Sequence, residues 1–209
     1  GPLITTNTEK QCDNRSAGLP VMNTDIRIAD KDSSGIGEIQ VTSPSLMLGY
    51  FRNPEATEAA FTEDGFLKTG DLGYFNRRGF LFINGRSKNM IVTSGGKNVF
   101  PEEIEVLFPE GRSIAEVLIM GQELQIGRGE RVIAVCVPDY ERLKEEHGGT
   151  LPADTVIEQM IKTEVAEVNR RLESHQKIER TYIRSEPFEK TASDKIKRFL
   201  YKEYASPEE

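Results

Sequence analysis

The chain has 209 residues, 37% hydrophobic and 29% charged, with a formal net charge of -7. This is a globular composition with enough apolar content for a core, not that of a wholly disordered chain. The acidic balance argues against a general nucleic-acid binder, and no apolar run approaches the roughly 20 residues that span a bilayer.

In chain order, residues 1–17 are polar with little periodicity and make a poor domain start. Gly1-Pro2-Leu3-Ile4 shows neither a signal-peptide pattern nor an initiator Met, and reads as a tag remnant or an excised segment. Residues 21–29 and 38–43 flank a turn at 30–37 and predict an antiparallel hairpin. Residues 46–51 predict a further extended piece. Asn53-Pro54-Glu55 predicts a helix start, with Asn to cap, Pro for the first helical position and Glu for the positive end. That helix is expected to reach Phe61. After Asp64-Gly65, residues 66–69, 73–76 and 79–84 predict three short strands.

Beyond Gly85, strands and helices alternate. Strands are predicted at 89–93, 114–120, 131–137 and 181–185, the second and third separated by a glycine-containing turn at 121–130. Helices are predicted from Pro101 to about 108, at 139–146, at 153–172 and, with a basic stripe, at 195–204. Cys12 and Cys136 are the only cysteines, which makes the cytoplasm the default compartment; Cys136, within the apolar run 132–137, reads as a buried strand residue. The predicted class is α+β. A small, distorted, antiparallel β-barrel-like unit with one helix (1–85) precedes a sheet with packed helices (86–209).

Four segments carry chemistry. In Lys68-Thr69-Gly70-Asp71-Leu72-Gly73, an Asp between glycine-permitted bends can project two acceptor oxygens toward a vicinal diol. Alone, such a motif is more often a solvated turn. Gly85-Arg86-Ser87-Lys88 places long cations where the pattern changes, as in a hinge that touches an anion or a solvated linker. Ser94-Gly95-Gly96-Lys97-Asn98 lets the backbone bend or approach a ligand, yet lacks the spacing of a Walker phosphate loop. Thr191-Ala192-Ser193-Asp194-Lys195 is a polar loop carrying a lysine, a mobile point charge suited to a carboxylate or phosphate; a basic tail is the plain alternative.

In this order, with Gly49-Tyr50-Phe51, Pro54-Glu55, Thr57, Pro101-Glu102-Glu103-Ile104-Glu105 and Lys195-Ile196-Lys197-Arg198, the chain resembles the adenylate-forming superfamily. That group includes acyl-CoA synthetases, nonribosomal adenylation domains and beetle luciferases. The resemblance runs over 17–105 and 187–201, and its wording looks most like bacterial long-chain fatty acid–CoA ligases.

The resemblance implies a two-step reaction. A carboxylate attacks the α-phosphate of Mg-ATP to give an acyl adenylate and pyrophosphate, then the thiol of coenzyme A displaces AMP. It implies that Asp71 holds the ribose hydroxyls, that Arg86 contacts the ribose or α-phosphate, and that Lys195 bridges the attacking carboxylate and the α-phosphate. Lys88 falls at the family's hinge, about which the small domain 86–209 turns between half-reactions, and Gly95 and Gly96 would then line the pantetheine tunnel. Residues 1–85 would be the tail of a large N-terminal adenylation domain.

Two departures are visible. Asp194 stands where the family has Gly. The family's phosphate loop and its magnesium-binding Glu segment are not in the chain, so the Mg2+ ligand and most of the acid pocket are expected upstream. The isolated chain is expected to be inactive, and residues 2–17 to lack their packing partners. A fatty acid substrate would admit peripheral membrane contact. The alternatives are a related ligase using an aryl acid or an acyl carrier protein, and a non-catalytic nucleotide-binding or interaction module.

Overall fold

Alternating apolar and polar residues bounded by turns build the first part of the chain. The computed structural model describes residues 3–124 and 127–206, and the chain falls into two compact units, Gly1–Lys88 and Asn89–Glu209. In the first, β1 (Thr5–Thr6) pairs antiparallel with β2 (Leu19–Pro20). Strands β3 (Asp25–Ala29), β4 (Gly37–Thr42), β5 (Leu67–Phe75) and β6 (Leu81–Arg86) form an antiparallel sheet in that order. The sheet is open, so the class is α+β as expected but without a barrel among the described residues.

Helix α1 (Pro54–Ala60) starts as its sequence requires. The Asn53 side chain accepts the Ala56 N–H at 3.0 Å, and Pro54 opens the first turn. Ile39, Val41 and Leu81 form the core, with Ile4, Ala17, Ile26, Ile28 and Phe75 packed against them. Residues 3–17 therefore do find partners within the chain: Ile4 accepts the Val21 N–H, and Ala17 donates to the Leu81 carbonyl. Gly18 lies at φ +104°, and a Cβ there would meet the Thr6 carbonyl carbon at 2.2 Å, so only glycine allows this crossing. Of the N-terminal stretch 1–4, read as a tag remnant or an excised segment, residues 1 and 2 lie outside the described residues.

The two strands expected at 66–69 and 73–76 are one, β5. Gly70, at φ +68°, bends the chain without ending it. Residues 46–51 are irregular, with bends rather than a strand, and Leu48 and Phe51 there are exposed.

In the second unit, β7 (Ile91–Val92) and β8 (Asn98–Val99) form a hairpin that leads into α2 (Pro101–Glu105). Strands β9 (Ile114–Glu123) and β10 (Glu130–Pro138) pair antiparallel; residues 125 and 126, between them in sequence, lie outside the described set. Helices α3 (Tyr140–Glu146) and α4 (Asp154–Arg171) carry the chain over to β11 (Ile178–Ile183), which pairs with β10 in parallel. A parallel neighbour needs such a crossover. The central strand is buried on both faces. Val132, Ala134 and Cys136 join Ile157, Ile161, Val165 and Val168 of α4, while Ile133, Val135 and Val137 join Phe188 and Tyr201. Burial pushes the Cys136 thiol up to about 12, so this cysteine is inert packing. It and Cys12 are both free thiols.

The predicted terminal helix at 195–204 is instead a 3₁₀ segment, Arg198–Ala205, broken at Tyr201 (φ -118°). Tyr201 is buried edge-on against Phe188, 4.9 Å between ring centroids, and Arg198 is tied to α2 and β9. These tertiary contacts override helical propensity. No helix among the described residues is long and apolar enough to cross a membrane.

Candidate functional site

Asp71 and Arg86, 15 positions apart in sequence, are partners across β5 and β6. The Arg86 Nε lies 2.8 Å from Asp71 Oδ1, and both side chains keep access to solvent. The β4–β5 register shifts between Glu38 and Gln40, and the β5–β6 register between Leu72 and Gly73. Such bulges re-aim side chains. Thr69 bridges the first irregularity: its hydroxyl donates to the Ile39 carbonyl at 2.7 Å and accepts the Asp71 N–H at 3.1 Å. Thr69 thus fixes the backbone that presents Asp71, a role that sequence spacing does not show.

Lys88 is exposed in a 3₁₀ turn, Ser87–Asn89, where one unit ends and the next begins. Gly95 and Gly96 lie in the β7–β8 turn, which is closed by hydrogen bonds between Thr93 and Lys97. Gly96 takes φ +69°, whereas Gly95 does not need a positive φ, and a Cβ at either would meet nothing within 4 Å.

Lys195 is exposed at the end of a turn that starts at Thr191. Thr191 N–H donates to the Lys195 carbonyl at 2.8 Å, and Lys195 N–H to Thr191 Oγ1 at 3.2 Å. Asp194 sits at φ +59°. This left-handed conformation favours glycine, and Asp is among the residues that tolerate it best. Asp194 therefore keeps the backbone geometry that a glycine would supply.

Both legs of the turn are anchored by residues to which sequence reasoning assigned no role. Glu116 of β9 accepts the Phe188 N–H and the Lys190 ammonium, each at 2.8 Å. Arg198 donates to both Glu105 carboxylate oxygens at 2.6 Å and to the Ile119 carbonyl at 2.7 Å. Burial pushes the Glu105 carboxyl up, opposed by Arg198 and by the Ile119 N–H. Both residues stand in motifs visible in the sequence, but a pairing across 93 positions is not a spacing signal. The structure thus joins Asp71 with Arg86 in the first unit, and sets Gly95, Gly96 and Lys195 on separate loops of the second.

Residues 88–207 match the family described as AMP-binding enzyme C-terminal domain. The chain belongs to this family. Its AMP-binding C-terminal domain starts at Lys88, beside the division between the two structural units. The chain is similar to the indoleacetate–CoA ligase of Aromatoleum aromaticum, 41% identical over 128 residues, 59% of this chain and 24% of that protein. It is also similar to a long-chain-fatty-acid–CoA ligase of Yersinia pestis, 36% identical over 151 residues, 69% of this chain and 26% of that protein. The solved O-succinylbenzoate coenzyme A synthetase of Bacillus subtilis, in complex with ATP and a magnesium ion, matches with a TM-score of 0.70 and 27% identity over 95% of this chain and 38% of its own. The chain spans about a quarter of the length of these curated relatives.

Proposed function

We propose that the chain is the C-terminal part of an ATP-dependent acid–CoA ligase that activates a long-chain fatty acid as acyl adenylate and passes it to coenzyme A. The observation that carries the reading is the Asp71–Arg86 pair: two residues singled out separately in the sequence lie side by side, partly open to solvent. A carboxylate can accept hydrogen bonds from both ribose hydroxyls while a neighbouring guanidinium reaches the ribose or α-phosphate.

In the first step a carboxylate oxygen of the acid bonds to the α-phosphorus and pyrophosphate leaves. Negative charge gathers between acid and phosphate, where the Lys195 ammonium stabilises it. In the second step the thiol of coenzyme A attacks the acyl carbon and AMP leaves. Lys88 serves as the hinge between the two arrangements, and the Gly95-Gly96 turn lines the path of the pantetheine arm. Among the described residues there is no group of three or more His, Cys, Asp or Glu side chains that could hold a metal ion.

The fatty acid assignment rests on motif wording and on the long-chain relative. The 41% identity to an indoleacetate ligase supports a second reading, an aryl acid substrate. The acid pocket belongs to the upstream part in either case. A panel of fatty and aryl acids, with thioester formation as readout and the chain joined to its upstream part, separates them. A preference for long-chain acids supports the first reading, and a preference for aryl acids replaces it with the second.

A further inference from the structure

The turn that carries Lys195 begins with a cation held in place by a charge on the sheet. The Glu116 side chain is only 17% exposed, and it anchors Lys190 at 2.8 Å. Lys190 also reaches the Asp194 carboxylate at 3.3 Å, and Lys190 is bridged antiparallel to Ile196. The Lys190 ammonium is raised above its ordinary value, first by its hydrogen bond to Glu116, so it stays charged near neutrality. Asp194 brings two penalties to the turn: a left-handed backbone on a residue with a Cβ, and a negative charge next to Lys195.

We propose that Lys190 is a positioning residue for Lys195: anchored by Glu116, it holds the Asp194 carboxylate and with it the left-handed turn that projects Lys195. The inference rests on the reading of Lys195 as the cation of the adenylation step. An exposed ion pair adds little to global stability. Its effect here is local, because a carboxylate engaged by Lys190 competes less with the substrate phosphate for the Lys195 ammonium. Glu116 makes the arrangement more than a surface contact, since it fixes one end of Lys190 to β9.

The test uses the full-length ligase with Lys190→Met, Lys190→Arg, Asp194→Gly and the double variant Lys190→Met/Asp194→Gly. Acid-dependent ATP–pyrophosphate exchange reads adenylation, and thioester formation from supplied acyl adenylate reads the second step. Loss of one charge-assisted contact predicts roughly a tenfold drop in exchange for Lys190→Met. The second step is expected to stay unchanged, and Lys190→Arg to retain most of the exchange. In the Asp194→Gly background the Lys190→Met loss is expected to disappear, because neither the carboxylate nor the strained turn remains. Normal exchange in Lys190→Met, the same loss in both backgrounds, or equal loss in both steps would overturn the inference while leaving the ligase reading intact. A wild-type enzyme without exchange would overturn the ligase reading, and the inference with it.

Discussion

Thr69, Gly70 and Asp71 divide one task among three neighbouring residues: Thr69 replaces ladder bonds at the bulge, Gly70 supplies the left-handed bend, and Asp71 meets Arg86. Thr69→Val keeps the shape and removes both hydroxyl bonds. It is expected to lower stability by about 1–2 kcal/mol and to raise the KM for ATP, as read by urea denaturation and steady-state kinetics. An unchanged KM in a destabilised variant would remove the link between Thr69 and Asp71. Asp71 and Arg86 were legible as separate polar residues in motifs; their pairing was not, because it depends on a register shift between β5 and β6.

Glu164 on α4 was not legible at all. It looks like one more helix carboxylate, yet it is 4% exposed, with Oε2 accepting the Ser113 N–H and Oε1 without a hydrogen-bond partner. Burial raises its pKa, while Ser113 and Arg112 act against the rise and Glu167 adds to it. A raised acid contributes stability that is fully present below its unfolded value and is lost as pH rises through the folded one. Glu164→Gln removes that titration. The variant is expected to be more stable than the wild type at pH 8, with the gap closing toward pH 4, as measured by denaturation midpoints across pH. A gap independent of pH would contradict this account.

At the scale of elements, the long, strongly patterned pieces were the readable ones. Helix α4 presents Ile157, Ile161, Val165 and Val168 at helical spacing, and β10 is a continuous apolar run because both of its faces are covered. The terminal segment misled, because a basic stripe at helical spacing does not reveal that Arg198 turns inward to Glu105. Arg198→Met leaves that carboxylate without its partner and is expected to cost about 3–5 kcal/mol of stability in denaturant unfolding. A loss below the resolution of that measurement would show that the pair is not a strut. The β7–β8 turn offers a cleaner probe. Gly95 needs no left-handed backbone, and a Cβ there meets nothing in the chain, so Gly95→Ala is expected to leave folding unchanged. If the turn lines the pantetheine path, the KM for coenzyme A is expected to rise by roughly tenfold, with adenylation unaffected. An unaltered KM would remove Gly95 from that role.

At the scale of the molecule, the chain holds a ribose-and-phosphate candidate pair in one unit and a mobile-cation candidate in the other, and it spans about a quarter of the curated ligases it resembles. The α+β class was readable because turn chemistry and periodicity are local. The open form of the first sheet was not, since closure depends on contacts between distant strands. The fatty acid reading rests on motif wording rather than on a pocket, because none of the motifs that carry the resemblance is an acid pocket. The most direct test of the central claim is acid-dependent AMP release from ATP by the full-length protein that contains this chain, with and without coenzyme A, alongside its Asp71→Ala and Lys195→Ala variants. The account predicts CoA-stimulated release from the wild type and losses on the order of 10²–10³ in the Lys195 variant. A folded, complete protein that releases no AMP with any acid, or variants that release it at the wild-type rate, would contradict it.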